Sequence, residues 1–183
     1  MNKSSNASRL GGFAAAHFGM SVVCYAAAMS SGLLWLDEEA PLAAALVFMA
    51  LYFPVGTLMG EVAPWTRVST PRELGRALVT QVGIAWVWGL LILMAVFVPG
   101  AAIGLAWLVF PTLILAAPSS LFVLYTAGSF AGEFMRPGSF LVWLAAMLAA
   151  GLLPPLLYNL GNFCVSRTKA AQAIQIETQK TDG

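Results

Sequence analysis

Charge is what this sequence has least of. Asp, Glu, Lys and Arg make up 9% of its 183 residues, against 60% hydrophobic residues, whereas soluble domains carry roughly 25% charged residues. A water-soluble globule of this composition would expose far too much apolar surface. The composition predicts an all-α, polytopic transmembrane helix bundle with the lipid bilayer as its first partner. Net charge is +1, so no bulk field draws nucleic acid or an acidic substrate. The single histidine, His17, excludes a bis-histidine haem, and no Cys, His and carboxylate set has metal-ligand spacing. The two cysteines, Cys24 and Cys164, lie in or beside apolar runs and define no disulfide framework. No metal and no cofactor are expected.

A catalytic set is missing too. Intramembrane hydrolysis needs a nucleophile with a base, and no Ser or Cys has a histidine partner other than His17. No aspartate pair lies within the apolar runs, and no Gly-rich phosphate loop precedes a Lys. The chain is therefore expected not to be an enzyme.

What is there is a succession of apolar runs. A spanning helix needs about 20 mostly apolar residues. Residues 1–9 form a polar, cytoplasmic head with Lys3 and Arg9, residues 10–164 the membrane domain, and residues 165–183 a polar tail expected to be mobile. The first run, 10–36, ends at Trp35 before the acidic Asp37, Glu38 and Glu39. Its basic start and small residues also fit a signal peptide, but its length and the runs that follow favour a retained span. The second run covers 41–60. Thr70-Pro71-Arg72-Glu73 then has the form of a capping box with proline at the first helical position, which starts a third helix at Pro71 that reaches about Phe97. The final run covers 139–161.

Between them, residues 101–132 carry no charge. As one helix they would reach about 48 Å, well beyond a ~30 Å hydrocarbon core. A break at Ala117-Pro118-Ser119-Ser120 divides them, since proline disfavours helix at the residue before it and serine caps the next. Basic residues concentrate on the cytoplasmic side. Five spans place six of them inside and three outside; six spans place eight inside and one outside. Six spans with both termini inside are preferred, with five as the alternative.

One motif recurs. Gly56-Thr57-Leu58-Met59-Gly60-Glu61 and Gly128-Ser129-Phe130-Ala131-Gly132-Glu133 both read G-[ST]-x-x-G-E. Gly56 and Gly60, like Gly128 and Gly132, are one helical turn apart, the small-xxx-small spacing that lets two backbones approach. Helix packing is the plainer expectation for these glycines. The sharper one makes Glu61 or Glu133 an ion- or substrate-binding carboxylate, because intramembrane ionisable groups tend to be functional; in six spans the two would sit at opposite faces, as in an inverted repeat. Arg67, Arg72 and Arg76 are expected to meet lipid headgroups. Trp35, Trp65 and Trp143 suit an interfacial belt, and Trp86, Trp88 and Trp107 fit a pocket or lipid contact equally. His17 is expected to pack between helices, and Asn159 and Asn162 to cap or bridge them.

These readings point to a multi-pass protein of a bacterial-type inner membrane, serving as an accessory or assembly subunit of a larger membrane complex. Other membrane subunits, or further copies of the chain, are its expected protein partners. The alternative is a small-solute transport component that uses an intramembrane glutamate.

Overall fold

A computed structural model describes residues 5–30, 39–97, 115–131 and 139–181. Every regular element among them is helical: α1 (Asn6–Ser30), α2 (Glu39–Ala50), α3 (Tyr52–Val62), a 3-10 turn (Pro64–Thr66), α4 (Pro71–Phe97), α5 (Ala117–Ala131) and α6 (Ser139–Thr181). Four stretches among the described residues are long and apolar enough to cross a membrane: Asn6–Ser30, Ala43–Val62, Pro71–Met94 and Phe140–Lys180. Their outer faces carry large apolar side chains in the open, such as Val79 at 75% and Leu141 at 68% exposure. Water would reject such a surface, and hydrocarbon solvates it.

Prolines set most of the boundaries. Pro54 has no N–H to offer the Ala50 carbonyl, and the chain turns at Leu51 between α2 and α3. Leu51 N–H still donates to the Val47 carbonyl and Val55 N–H to that of Leu51, both at 3.1 Å, so the two helices follow one another as a kinked rod. Pro64 ends α3, with Ala63 leaving the helical region at φ −121° and ψ 74°. The third span starts where its capping box places it. Glu73 N–H donates to Thr70 Oγ1 at 3.2 Å, and Glu73 Oε2 accepts from Thr70 N–H at 3.2 Å.

α6 is the axis of the bundle, 43 residues and about 65 Å long. Pro154 and Pro155 lie inside it without ending it. Pro154 leaves the Ala150 carbonyl without its usual helical donor, and Ser119 Oγ of α5 donates to that carbonyl at 3.3 Å. The start of α5, beside the Pro118 break, is thereby tied level with the middle of the apolar stretch of α6. The tail expected to be mobile from Ser166 onward is instead the end of this helix. No Gly or Pro occurs from Asn162 to Thr181, and Ala170, Ala171, Ala173, Gln175 and Glu177 are good helix formers. From Arg167 to Lys180 every side chain is exposed, so about 20 Å of helix stands clear of the bundle.

The most extensive contact joins α3 and α6, and glycine makes it. A Cβ on Gly56 would collide with the Tyr158 carbonyl, and one on Gly161 with the Phe53 carbonyl. A Cβ on Gly60 would meet Asn162 at an ordinary 3.5 Å. α4 also packs against α6, where a Cβ on Gly151 would come within 2.7 Å of Trp86 Cδ1. The core between the helices holds Cys24, Met49, Tyr52, Phe122, Trp143 and Tyr158.

Because backbone stands against backbone at Gly56 and Gly161, no rotamer can relieve a larger residue there. Overpacking typically costs 1–3 kcal/mol, and fixed carbonyls push the cost to the upper end. Gly56→Leu and Gly161→Leu should each lose the monodisperse, thermally stable species seen by size exclusion and scanning fluorimetry. Gly11 and Gly19 face open space, so Gly11→Ala and Gly19→Ala should leave stability unchanged or raise it by up to about 1 kcal/mol.

Candidate functional site

Two polar assemblies interrupt the apolar interior. The first lies at the end of the bundle where α1 begins. Arg9 is 5% exposed. Its Nη2 pairs with Glu73 Oε1 at 2.8 Å, and its Nε–H donates to the Arg67 carbonyl at 3.3 Å. The other oxygen of Glu73 accepts from the N–H groups of Ser69 at 2.9 Å and Thr70 at 3.2 Å. Arg67 Nε–H in turn donates to the Gly60 carbonyl at 2.6 Å, at the exposed end of α3. Asn162 closes the assembly from α6, its Oδ1 accepting from Val68 N–H at 2.9 Å. One buried guanidinium and one carboxylate thus bind α1, the loop 63–70 and the start of α4, and an amide adds α6. Seven of the nine basic residues are described, and all lie at this end or on the helix that projects from it.

The second assembly lies deeper. His17 follows Arg9 by eight residues and Gln81 follows Glu73 by eight, so each sits about 12 Å further along its helix. His17 Nδ1 shares a 2.5 Å hydrogen bond with the Tyr52 hydroxyl, and its ring stacks on Phe13 at 5.7 Å. Gln81 is 2% exposed. Asn159 Nδ2 donates to Gln81 Oε1 at 2.6 Å and to the Pro155 carbonyl at 2.7 Å. A carbonyl only accepts, so the Pro155 contact fixes which end of the Asn159 amide is nitrogen, and that fixes Gln81 Oε1 as the acceptor beside it. Gln81 Nε2 has no hydrogen-bond partner.

His17 and Gln81 line a cavity of about 590 Å³ between α1, α4, α5 and α6. Phe13, Trp88, Trp143 and Met147 form its apolar walls, Ser119 and Ser120 add hydroxyls, and no charged residue lines it among the described residues. This can hold a neutral, mostly apolar molecule. Among the described lining residues, the one group whose ordinary pKa lies near neutrality is the His17 imidazole.

The residues singled out in the sequence are distributed unevenly over these features. Gly56 and Gly60 lie in the α3–α6 contact, and Gly128 falls within α5. Glu61 is exposed on the outside of α3 and does not line the cavity. Gly132 and Glu133 lie outside the described residues, as do Lys3, Trp35, Trp107 and Arg136. Arg72 and Arg76 are exposed at the first turns of α4, while Arg67 is half-buried in the loop assembly. Trp65 is 63% exposed, but Trp143, expected at an interface, is 8% exposed in the core. Trp88 lines the cavity, and Trp86 instead reaches α6, its Nε1–H donating to the Leu148 carbonyl at 3.0 Å. Asn159 and Asn162 bridge α6 to α4 and to the loop before it.

Sequence reasoning passed over two residues, Arg9 and Gln81. Arg9 belongs to the polar head by its surroundings, although a basic residue at the very edge of an apolar run is a signal in itself. Gln81 is an amide within an apolar helix, of the kind that needs a partner. No known protein family, curated protein or solved structure matches the chain.

Removing one partner of a buried ion pair leaves the other uncompensated. Arg9→Met or Glu73→Gln alone should cost about 3 kcal/mol in reversible unfolding of the detergent-solubilised protein. The double change should cost less than the two single costs added together. Glu61→Gln, on an exposed face, should stay within about 0.5 kcal/mol of the parent.

Proposed function

We propose that the chain is a multi-pass protein of a bacterial-type inner membrane, acting without catalysis as an accessory or assembly subunit of a larger membrane complex. The observation that carries this reading is the projecting end of α6. Fourteen consecutive residues, Arg167 to Lys180, form helix with every side chain exposed. A helix of that length gains its stability in proteins from packing rather than from propensity, and a second subunit supplies such packing. The interior supports the same reading, because the buried Arg9–Glu73 pair and the Asn159 and Asn162 bridges join the chain's own helices.

The transport alternative needs a carboxylate turned toward an internal space. Glu61 faces outward, no charged residue lines the cavity among the described residues, and Glu133 lies outside them. The arrangement we propose has six apolar segments. All six are spans in this arrangement, with both termini inside and five spans as the alternative. An even number of crossings agrees with the start of α1 and the emerging end of α6 lying together at one end. The basic residues gathered there support a cytoplasmic side for that end.

The test is purification of the tagged chain from its own membrane under mild detergent. It should emerge in a stoichiometric heteromeric complex. Deletion of 170–183 should release the partner while leaving the bundle monodisperse, and cysteines at both termini should be labelled only from the cytoplasmic side. The opposite outcome is a chain that purifies alone, moves a solute into proteoliposomes, and loses that activity in Glu61→Gln.

A further inference from the structure

The cavity has a built polar corner that the accessory role does not use. Gln81 is fixed in orientation by Asn159, is 2% exposed, and keeps an unpartnered Nε2 donor on a residue of the cavity wall. A buried amide donor without a partner costs free energy until something accepts from it. His17 stands at the same depth on the neighbouring helix. The Tyr52 hydroxyl shares a hydrogen bond with Nδ1, and in the tautomer in which it donates there the ring N–H is on Nε2. In that tautomer two side chains with N–H donors, on two helices, line one mostly apolar space.

The rest of the lining narrows the ligand. No charged side chain lines the space among the described residues, so a phosphate or carboxylate group would find no counter-charge there. Phe13, Trp88 and Trp143 offer aromatic surfaces, which favour a planar ring. A volume of about 590 Å³ lies within the range that holds drug-sized molecules. Phe18, Ile84, Leu115 and Leu124 line the cavity and are also 43–55% exposed. They form a rim on the outer, lipid-facing surface, so the route in is sideways from the bilayer.

We propose that this cavity binds a neutral, membrane-soluble molecule whose planar ring carries carbonyl oxygens, of the quinone type, with Gln81 and His17 donating to those oxygens. The proposal concerns binding alone and is independent of the accessory role. The alternative occupant, a lipid acyl chain, uses the same apolar walls but has no use for the donors.

The experiment titrates decyl-1,4-benzoquinone into the full chain in detergent micelles and follows tryptophan emission, which Trp88 and Trp143 report from the cavity wall. Quenching should saturate at one quinone per chain. Decylbenzene, which keeps the ring and tail but lacks both oxygens, should compete at least about tenfold more weakly. Gln81→Leu and His17→Phe should each raise the dissociation constant by about five- to tenfold, the worth of one hydrogen bond. Ala14→Phe adds bulk at an exposed position on the lining and should abolish saturable binding without disturbing the fold. Should Gln81→Leu fail to fold, His17→Phe and Ala14→Phe decide the matter. Linear, unsaturable quenching overturns the proposal. So does decylbenzene competing as well as the quinone with His17→Phe binding unchanged, which would make the cavity an acyl-chain slot.

Discussion

The contact on which the rest of this bundle depends has no side chain at its centre. At Gly56 and Gly161 the backbones of α3 and α6 stand against each other so closely that a methyl group has no room. In a bilayer, apolar side chains gain nothing by leaving lipid for one another, so close backbone packing takes over the role that burial has in water. That approach fixes the register of α6. It brings Asn162 to the Val68 N–H, Asn159 to Gln81, and Tyr158 to the space beside Gly12 and Thr66. Shifting α6 by one residue would break all three.

Polar groups then refine what packing has placed. The Arg9–Glu73 pair does for α1 and α4 what the glycines do for α3 and α6, at an end where the loop 63–70 supplies backbone donors and acceptors to complete both charges. About 12 Å deeper, single amides and one imidazole replace charges among the described residues. The proline pair in α6 contributes here too. The carbonyl that Pro154 strips of its donor accepts from Ser119, and the Pro155 carbonyl orients Asn159. A helix defect thus becomes the means of holding α5 and of orienting Gln81, and the donor left over at Gln81 faces the question of what accepts from it.

Much of this architecture was legible in the residues themselves. Low charge and long apolar runs declare membrane helices, and Thr70-Pro71-Arg72-Glu73 locates the start of α4 because its bonds are local. The spacing of Gly56 and Gly60 announces a close approach but not its partner, since nothing in α3 says that Tyr158 and Asn162 will lie opposite. Arg9 was misplaced in the head because hydrophobicity averages over one charge at the edge of an apolar run. Its burial follows from a carboxylate 64 residues away in the chain. Trp143 was assigned to an interface by residue type, whereas its helix turns it inward. The end of α6 was read as a loose tail from polarity alone, although its composition favours helix. The cavity was not legible at all, because its walls come from four helices whose facing surfaces only packing decides.

The central claim is that α3 and α6 meet directly, with Gly60 against Asn162. A cysteine at position 60 fits, because its Cβ would stand 3.5 Å from Asn162 Cα. The measurement is disulfide formation in native membranes between Gly60→Cys and Asn162→Cys, with Cys24 and Cys164 replaced by serine. The account predicts rapid, near-complete cross-linking within one chain under mild oxidation, and none when the cysteine at position 60 is moved to the outward-facing Leu58. Cross-linking from position 58, with none from position 60, would contradict it.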